Sequence, residues 1–277
     1  MNDRPIGVFD SGVGGLTVAK ALLERMPGES LLYLGDTARL PYGTKSPATV
    51  ARYTRRNVAF LVEQGVKAVV VACNTASATA LDGFRPPVPT WGVIEPGARA
   101  AVEVARGRVG VIATESTIAS GVYPRVLERL DPDLVVLVRA CPLLVPLVEE
   151  GWEEDPIAVE VVRRYLAPLL AERIDTLVLG CTHYPLLRAA LRQVAGEEIS
   201  LVDSAAAISL VVARALEQAG LAAPRGAAPR HRLLVTDASP PFARLAHRIL
   251  GPGIELERVD VVDREAAGSV DLSRSKR

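Results

Sequence analysis

Short runs of β-branched and other apolar residues punctuate this chain at Ile6–Phe9, Leu31–Leu34, Val66–Ala72, Val109–Ile112, Leu134–Val138, Thr176–Leu179 and Leu233–Val235. Each has the length and composition of a strand buried on both faces, the kind that builds parallel sheets. Longer stretches with helical spacing lie between them, among them Pro47–Gln64, Pro156–Ala171 and Ala205–Ala219. Parallel neighbours cannot be joined by a tight hairpin and need a crossover, usually a helix. The alternation therefore predicts an α/β architecture with mainly parallel sheets.

The middle of the chain repeats its beginning. Ile6-Gly7-Val8-Phe9-Asp10-Ser11 aligns with Val109-Gly110-Val111-Ile112-Ala113-Thr114, and Val69-Val70-Val71-Ala72-Cys73-Asn74-Thr75 aligns with Leu177-Val178-Leu179-Gly180-Cys181-Thr182-His183. The two motifs recur in the same order at nearly the same interval. Two similar doubly wound domains related by a pseudo-two-fold axis are expected, the first formed by residues 1–96 with 207–265 and the second by 97–206. Residues 266–277 lack apolar periodicity and are expected to form a disordered tail. In open α/β sheets ligands collect beyond the carboxyl ends of the strands. Both cysteine motifs end there, so a two-fold relation would set Cys73 and Cys181 on opposite walls of one cleft, the expected active site.

Composition narrows the partners. With 277 residues, 49% of them hydrophobic, the chain can bury two modest cores. Its 32 basic and 32 acidic side chains cancel, so no net field gathers nucleic acid or an anionic membrane, and a small-molecule partner is expected. Cys73, Cys141 and Cys181 are far apart and lack the paired spacing of zinc or redox sites, which points to a reducing compartment and no metal. The start MNDRPIGVFD does not have the basic-then-apolar form of a secretion signal, and no run reaches the length of a membrane span. A cytoplasmic protein is expected.

Two symmetry-related thiols suit one demanding reaction. Removing the α-proton of an amino acid is difficult because its carboxylate is already negative, and inverting the centre needs an acid on the face opposite the base. A thiolate and a thiol can meet both needs, exchanging roles with direction. A free thiol has a pKa of about 8.5 and needs a neighbour to activate it. His183, two residues beyond Cys181, and Asp10, at the end of the first strand beside Cys73, are the candidates. Buried free cysteines are often inert packing residues, but polar residues directly after a buried strand need a task, and both cysteines have them. Cys141, followed by Pro142-Leu143-Leu144, has none and is assigned to packing.

Two glycine-bearing loops complete the expected site. Asp10-Ser11-Gly12-Val13-Gly14-Gly15 forms a tight turn whose backbone N–H groups can hold an anionic group. It is neither the spaced glycine pattern of dinucleotide binders nor a phosphate loop, so no nucleotide cofactor is expected. Gly35 to Gly43 is dense in turn formers and faces substrate, with Tyr42 and Gly43 presenting donors to a carboxylate and Asn74, Thr75 and Thr182 completing the polar shell.

Together GVFDSGVGGLTV, GDTARLPYG, ACNTASA and LGCTHYPLL resemble the glutamate racemases of the aspartate/glutamate racemase superfamily, from Pro5 to about Ala206. The resemblance implies two α/β domains around one cleft and interconversion of L- and D-glutamate without pyridoxal phosphate, metal or other cofactor, supplying D-glutamate for peptidoglycan. It also implies a homodimer. By matching motif, Cys73 and Cys181 are the acid/base pair, and Asp10 and His183 assist them. Asp10, Ser11, Tyr42, Gly43, Asn74, Thr75, Thr182 and His183 fall at substrate-contacting positions. The family's functional glutamate falls on either Glu149 or Glu150, and Thr117 lies near a second-half strand end. Aspartate racemase, and a non-catalytic module that senses a metabolite or inhibits DNA gyrase, are the alternative readings.

Overall fold

The computed structural model describes residues 2–224, 226–251 and 254–261, so the tail expected at 266–277 lies outside the described residues. The chain opens with β1 (Ile6–Asp10), α1 (Leu16–Arg25), β2 (Leu31–Gly35), α2 (Pro47–Glu63), β3 (Ala68–Val71), α3 (Asn74–Ala80) and β4 (Thr90–Gly92). Then come α4 (Ile94–Val104), β5 (Arg108–Ala113), α5 (Glu115–Ala119), α6 (Val122–Leu130), β6 (Val135–Ala140), α7 (Leu144–Glu149), α8 (Pro156–Ala171), β7 (Thr176–Gly180), α9 (Arg188–Ala195) and β8 (Ser200–Asp203). It continues with α10 (Ser204–Gln218), β9 (His231–Val235), α11 (Pro240–Leu250) and β10 (Leu256–Arg258). Three helices start on a polar cap followed by proline: Ser46 accepts from Thr49 N before α2, Asp155 from Ile157 N before α8, and Ser239 from Phe242 N before α11. Such caps satisfy orphan N–H groups and are worth about 1 kcal/mol each, while proline costs nothing at the first helical position.

The strands form two sheets in which every pairing is parallel. One has the order β10-β9-β2-β1-β3-β4 and the other β6-β5-β7-β8. The internal repeat is visible in this order, because β2-β1-β3-β4 and β6-β5-β7-β8 are the same arrangement. Register agrees as well: Phe9 pairs with Val71 and, at the repeat's equivalent place, Ile112 pairs with Leu179.

The expected strands are all present, but β6 is not buried on both faces. It is an edge strand, and each of its residues is half-buried or exposed. The divisions expected at 96/97 and 206/207 fall inside α4 and α10, which pack against each other, while α10 also packs along α1. Among the described residues no helix is long and apolar enough to cross a membrane.

Candidate active site

Because the registers match, each cysteine is the second residue past an equivalent strand position, Cys73 beyond Val71 and Cys181 beyond Leu179. Both line one cavity of about 280 Å³, shared with Ser11, Tyr42, Gly43, Asn74, Thr75, Thr182 and His183. That volume lies near the lower end of small-molecule sites, roughly 300–1,000 Å³, and suits a ligand of amino-acid size. Among the described residues no group of three His, Cys, Asp or Glu stands together as metal ligands.

Cys73 precedes α3 and its sulfur accepts the Ala76 N–H at 3.5 Å, while its thiol donates to the Ser11 hydroxyl at 3.5 Å. Burial, with the Asp10 carboxylate adding to it, pushes this thiol up to about 12. Cys73 is therefore held as the thiol.

Asp10 is not among the residues that line the cavity. It is 0% exposed behind the Ser11–Gly12 turn, with Oδ2 accepting the Gly12 N–H at 2.9 Å. Burial raises its carboxyl above the ordinary value, against the lowering effects of His183 and of the Gly12, Gly15 and Ser11 N–H groups. Its Oδ1 has no hydrogen-bond partner among the described residues.

On the opposite wall, Cys181 Sγ lies 3.8 Å from His183 Nδ1. The other ring nitrogen, Nε2, is 3.4 Å from Glu149 Oε1, close enough for an ion pair although not aligned as a hydrogen bond. Burial alone would pull the imidazole down, but Cys181 and Glu149 outweigh it and hold His183 up at about 10. Of the two adjacent acids, Glu149 lines the cavity, whereas Glu150 is exposed at the end of α7. The approach of this wall to the first sheet is made by Gly14, where a Cβ would come within 2.4 Å of Thr182 Oγ1 and 2.5 Å of His183 Nδ1.

Tyr42 and Gly43 reach the cavity in a short 3-10 turn, in which the tyrosine is buried. Its hydroxyl donates to Asp36 Oδ2. What this segment can offer a ligand is its backbone. Gly43 lies against Thr114, whose Cβ would be 2.7 Å from an added Cβ, so only glycine allows the approach. Thr114 closes a triangle of hydroxyls with Thr75 at 2.9 Å and Thr117 at 2.9 Å, and the Thr75–Thr117 side is 3.1 Å. Asn74 donates its amide to the Tyr123 hydroxyl at 2.9 Å.

The sequence reading did not single out Thr114 or Glu115, which line the cavity, nor the apolar wall of Leu40, Pro41, Pro142, Leu143, Val145 and Pro146. A signal for Thr114 was present, since the repeat aligns it with Ser11. Cys141 lies outside the cavity, fully buried, with its thiol directed at the Arg139 carbonyl at 3.6 Å, as a packing residue should be.

A profile of the Asp/Glu/hydantoin racemase family matches residues 10–210. The glutamate racemase of Geobacter metallireducens is 50% identical over 251 residues, 90% of this chain and 93% of that protein. The crystal structure of a glutamate racemase from Bacillus anthracis has a TM-score of 0.90 and 41% identity, covering 94% of this chain and 98% of its own. That of the Francisella tularensis glutamate racemase in complex with D-glutamate has a TM-score of 0.88 and 35% identity, covering 94% and 99%. Identity at this level over nine-tenths of the chain means common descent as well as a common fold, and the chain belongs to the Asp/Glu/hydantoin racemase family, on the branch of the glutamate racemases.

Proposed function

We propose that this chain interconverts L- and D-glutamate by two-base proton transfer at the α-carbon, with Cys73 and Cys181 as the two bases, and so supplies D-glutamate for peptidoglycan. The observation that carries the reading is the presence of both cysteines, at equivalent strand ends of a repeated fold, in one amino-acid-sized cavity. One sulfur takes the α-proton while the other returns a proton to the opposite face, and the roles reverse with direction. His183 is the proton partner of Cys181. Asp10 assists Cys73 from behind the wall. Ser11, Asn74, Thr75, Thr182 and the backbone of Tyr42 and Gly43 hold the substrate. The site lies in the cleft between two domains, 1–96 with 207–265 and 97–206, and the enzyme acts as a homodimer in the cytoplasm.

The test is a polarimetric assay of the purified protein with a panel of L-amino acids. Loss of rotation with L-glutamate, and little with L-aspartate, is expected; racemisation of aspartate in its place would move the chain to the other acidic substrate, and no racemisation of any acid would remove the reading.

Through His183, Glu149 should have a measurable effect on stability. The raised His183 value means that the native state keeps a proton between pH 6.5 and about 10 that the unfolded chain releases. The stability gained this way is fully present below 6.5 and is lost as pH rises through about 10. Glu149→Gln removes one cause of the raise. Urea melts should show the variant less stable by about 1 kcal/mol near pH 6, with the difference closing towards pH 10. A constant difference across that range would mean that Glu149 acts on stability by some route other than the imidazolium.

A further inference from the structure

The loop that brings Tyr42 and Gly43 to the cavity is anchored on a single buried carboxylate. Asp36, immediately after β2, is 0% exposed. Its Oδ2 accepts from the Tyr42 hydroxyl and from Asn57 Nδ2 at 3.0 Å, its Oδ1 accepts from the Thr236 hydroxyl at 3.1 Å, and Arg39 Nη1 lies 3.5 Å away. Its backbone N–H donates to the Asp10 carbonyl at 3.0 Å. The same segment is stitched to the turn after β9: Thr37 Oγ1 donates to the Asp237 carbonyl at 2.6 Å, the Asp237 N–H donates back to Thr37 Oγ1 at 2.7 Å, and the Ala38 N–H donates to Thr236 Oγ1 at 2.9 Å. Arg39 also donates to the Val261 carbonyl.

Asp36, Asn57 and Thr236 are not part of the cavity wall. A buried, hydrogen-bonded charge is a poor source of net stability, because its desolvation offsets the attraction, but removing one member strands the others. Its use is to fix geometry. The geometry at stake is tight, since Gly43 is already wedged against Thr114. A drift of the loop by a few tenths of an ångström would move the Tyr42–Gly43 backbone relative to anything bound beside Cys73.

We propose that Asp36 is a positioning residue for racemisation: through the Tyr42 hydroxyl and the Thr236–Asp237 turn it locks the 37–44 loop and makes the C-terminal strands β9 and β10 a support of the active site. This rests on the reading of the cavity as a glutamate racemase site. Backbone contacts to a substrate carboxylate exist in ground and transition state alike, so their loss raises KM and leaves kcat nearly unchanged.

Asp36→Asn keeps the shape and removes the charge. It should raise KM for glutamate about tenfold with kcat within about threefold, and it should speed amide exchange in residues 40–45. Tyr42→Phe and Thr236→Val each delete one partner, and should shift KM and exchange the same way by less. They carry the test if Asp36→Asn does not fold. Adding Tyr42→Phe to Asp36→Asn should do little more. A folded Asp36→Asn enzyme with unaltered KM and exchange overturns the proposal, as does lower thermal stability with reduced kcat at constant KM, the mark of a purely structural role. If the unmutated enzyme racemises nothing, the functional reading fails, while the exchange comparison still reports whether Asp36 fixes the loop.

Discussion

Serine in place of Cys73 or Cys181 lowers glutamate racemisation by at least about a thousandfold. The protein should remain folded, because the exchange replaces one small buried atom by another of similar shape and Cys73 keeps polar neighbours in Ser11 and the Ala76 N–H. What is lost is the chemistry: a serine hydroxyl cannot become a base at neutral pH as a thiol can. Either substitution is enough, because inversion needs a base on one face and an acid on the other. The walls differ in how they hold their proton. Cys73 is pushed up to about 12 by burial and by Asp10, whereas Cys181 has a cationic imidazole 3.8 Å from its sulfur. In deuterated water, the same arrangement predicts that early product carries solvent deuterium while unreacted substrate stays protiated. Early deuterium in recovered substrate would show that one group serves both faces, and a Cys→Ser variant racemising at near-normal rate would remove that cysteine from the reaction.

The central features of this site were legible in the sequence because they repeat. An apolar run ending in Cys and polar residues occurs twice, and the paired register of Phe9 with Val71 and Ile112 with Leu179 turns that repetition into spatial equivalence. The strands that the apolar runs did not reveal, β4, β8 and β10, are all short and stand at sheet edges. Half-exposed edge strands need no continuous apolar run, so the signal that marks the central strands is missing. Helix α7 is only 6 residues long, too short for its periodicity to tell Glu149 from Glu150. The role of the Tyr42 hydroxyl was out of reach of the sequence for a different reason. Its partner, Asp36, lies only six residues away in sequence, yet what makes that carboxylate a buried hub is Asn57 on α2 and Thr236 after β9, contacts that no local pattern announces.

Alanine at position 14 should cost about a hundredfold in kcat, because a misplacement of about 1 Å at a reacting group is worth that much. The turn itself would tolerate the change, since Gly14 is not among the glycines with positive φ. The obstacle is the opposite wall. An added methyl would lie 2.4 Å from Thr182 Oγ1, 2.5 Å from His183 Nδ1 and 2.8 Å from His183 Cε1, and these groups must yield because the backbone of the turn is held by Asp10. His183 would then lose its alignment with Cys181 and its place beside Glu149, the two contacts that hold its charge. Its titration, followed by NMR, should fall from about 10 towards 6.5, together with the loss in turnover. Gly28→Ala is the matched control: nothing lies within 4 Å of its Cβ position, so it should leave turnover unchanged. Wild-type kcat in Gly14→Ala would mean that the two walls can separate without harm, and that the close approach of the first turn to His183 is packing with no part in proton transfer.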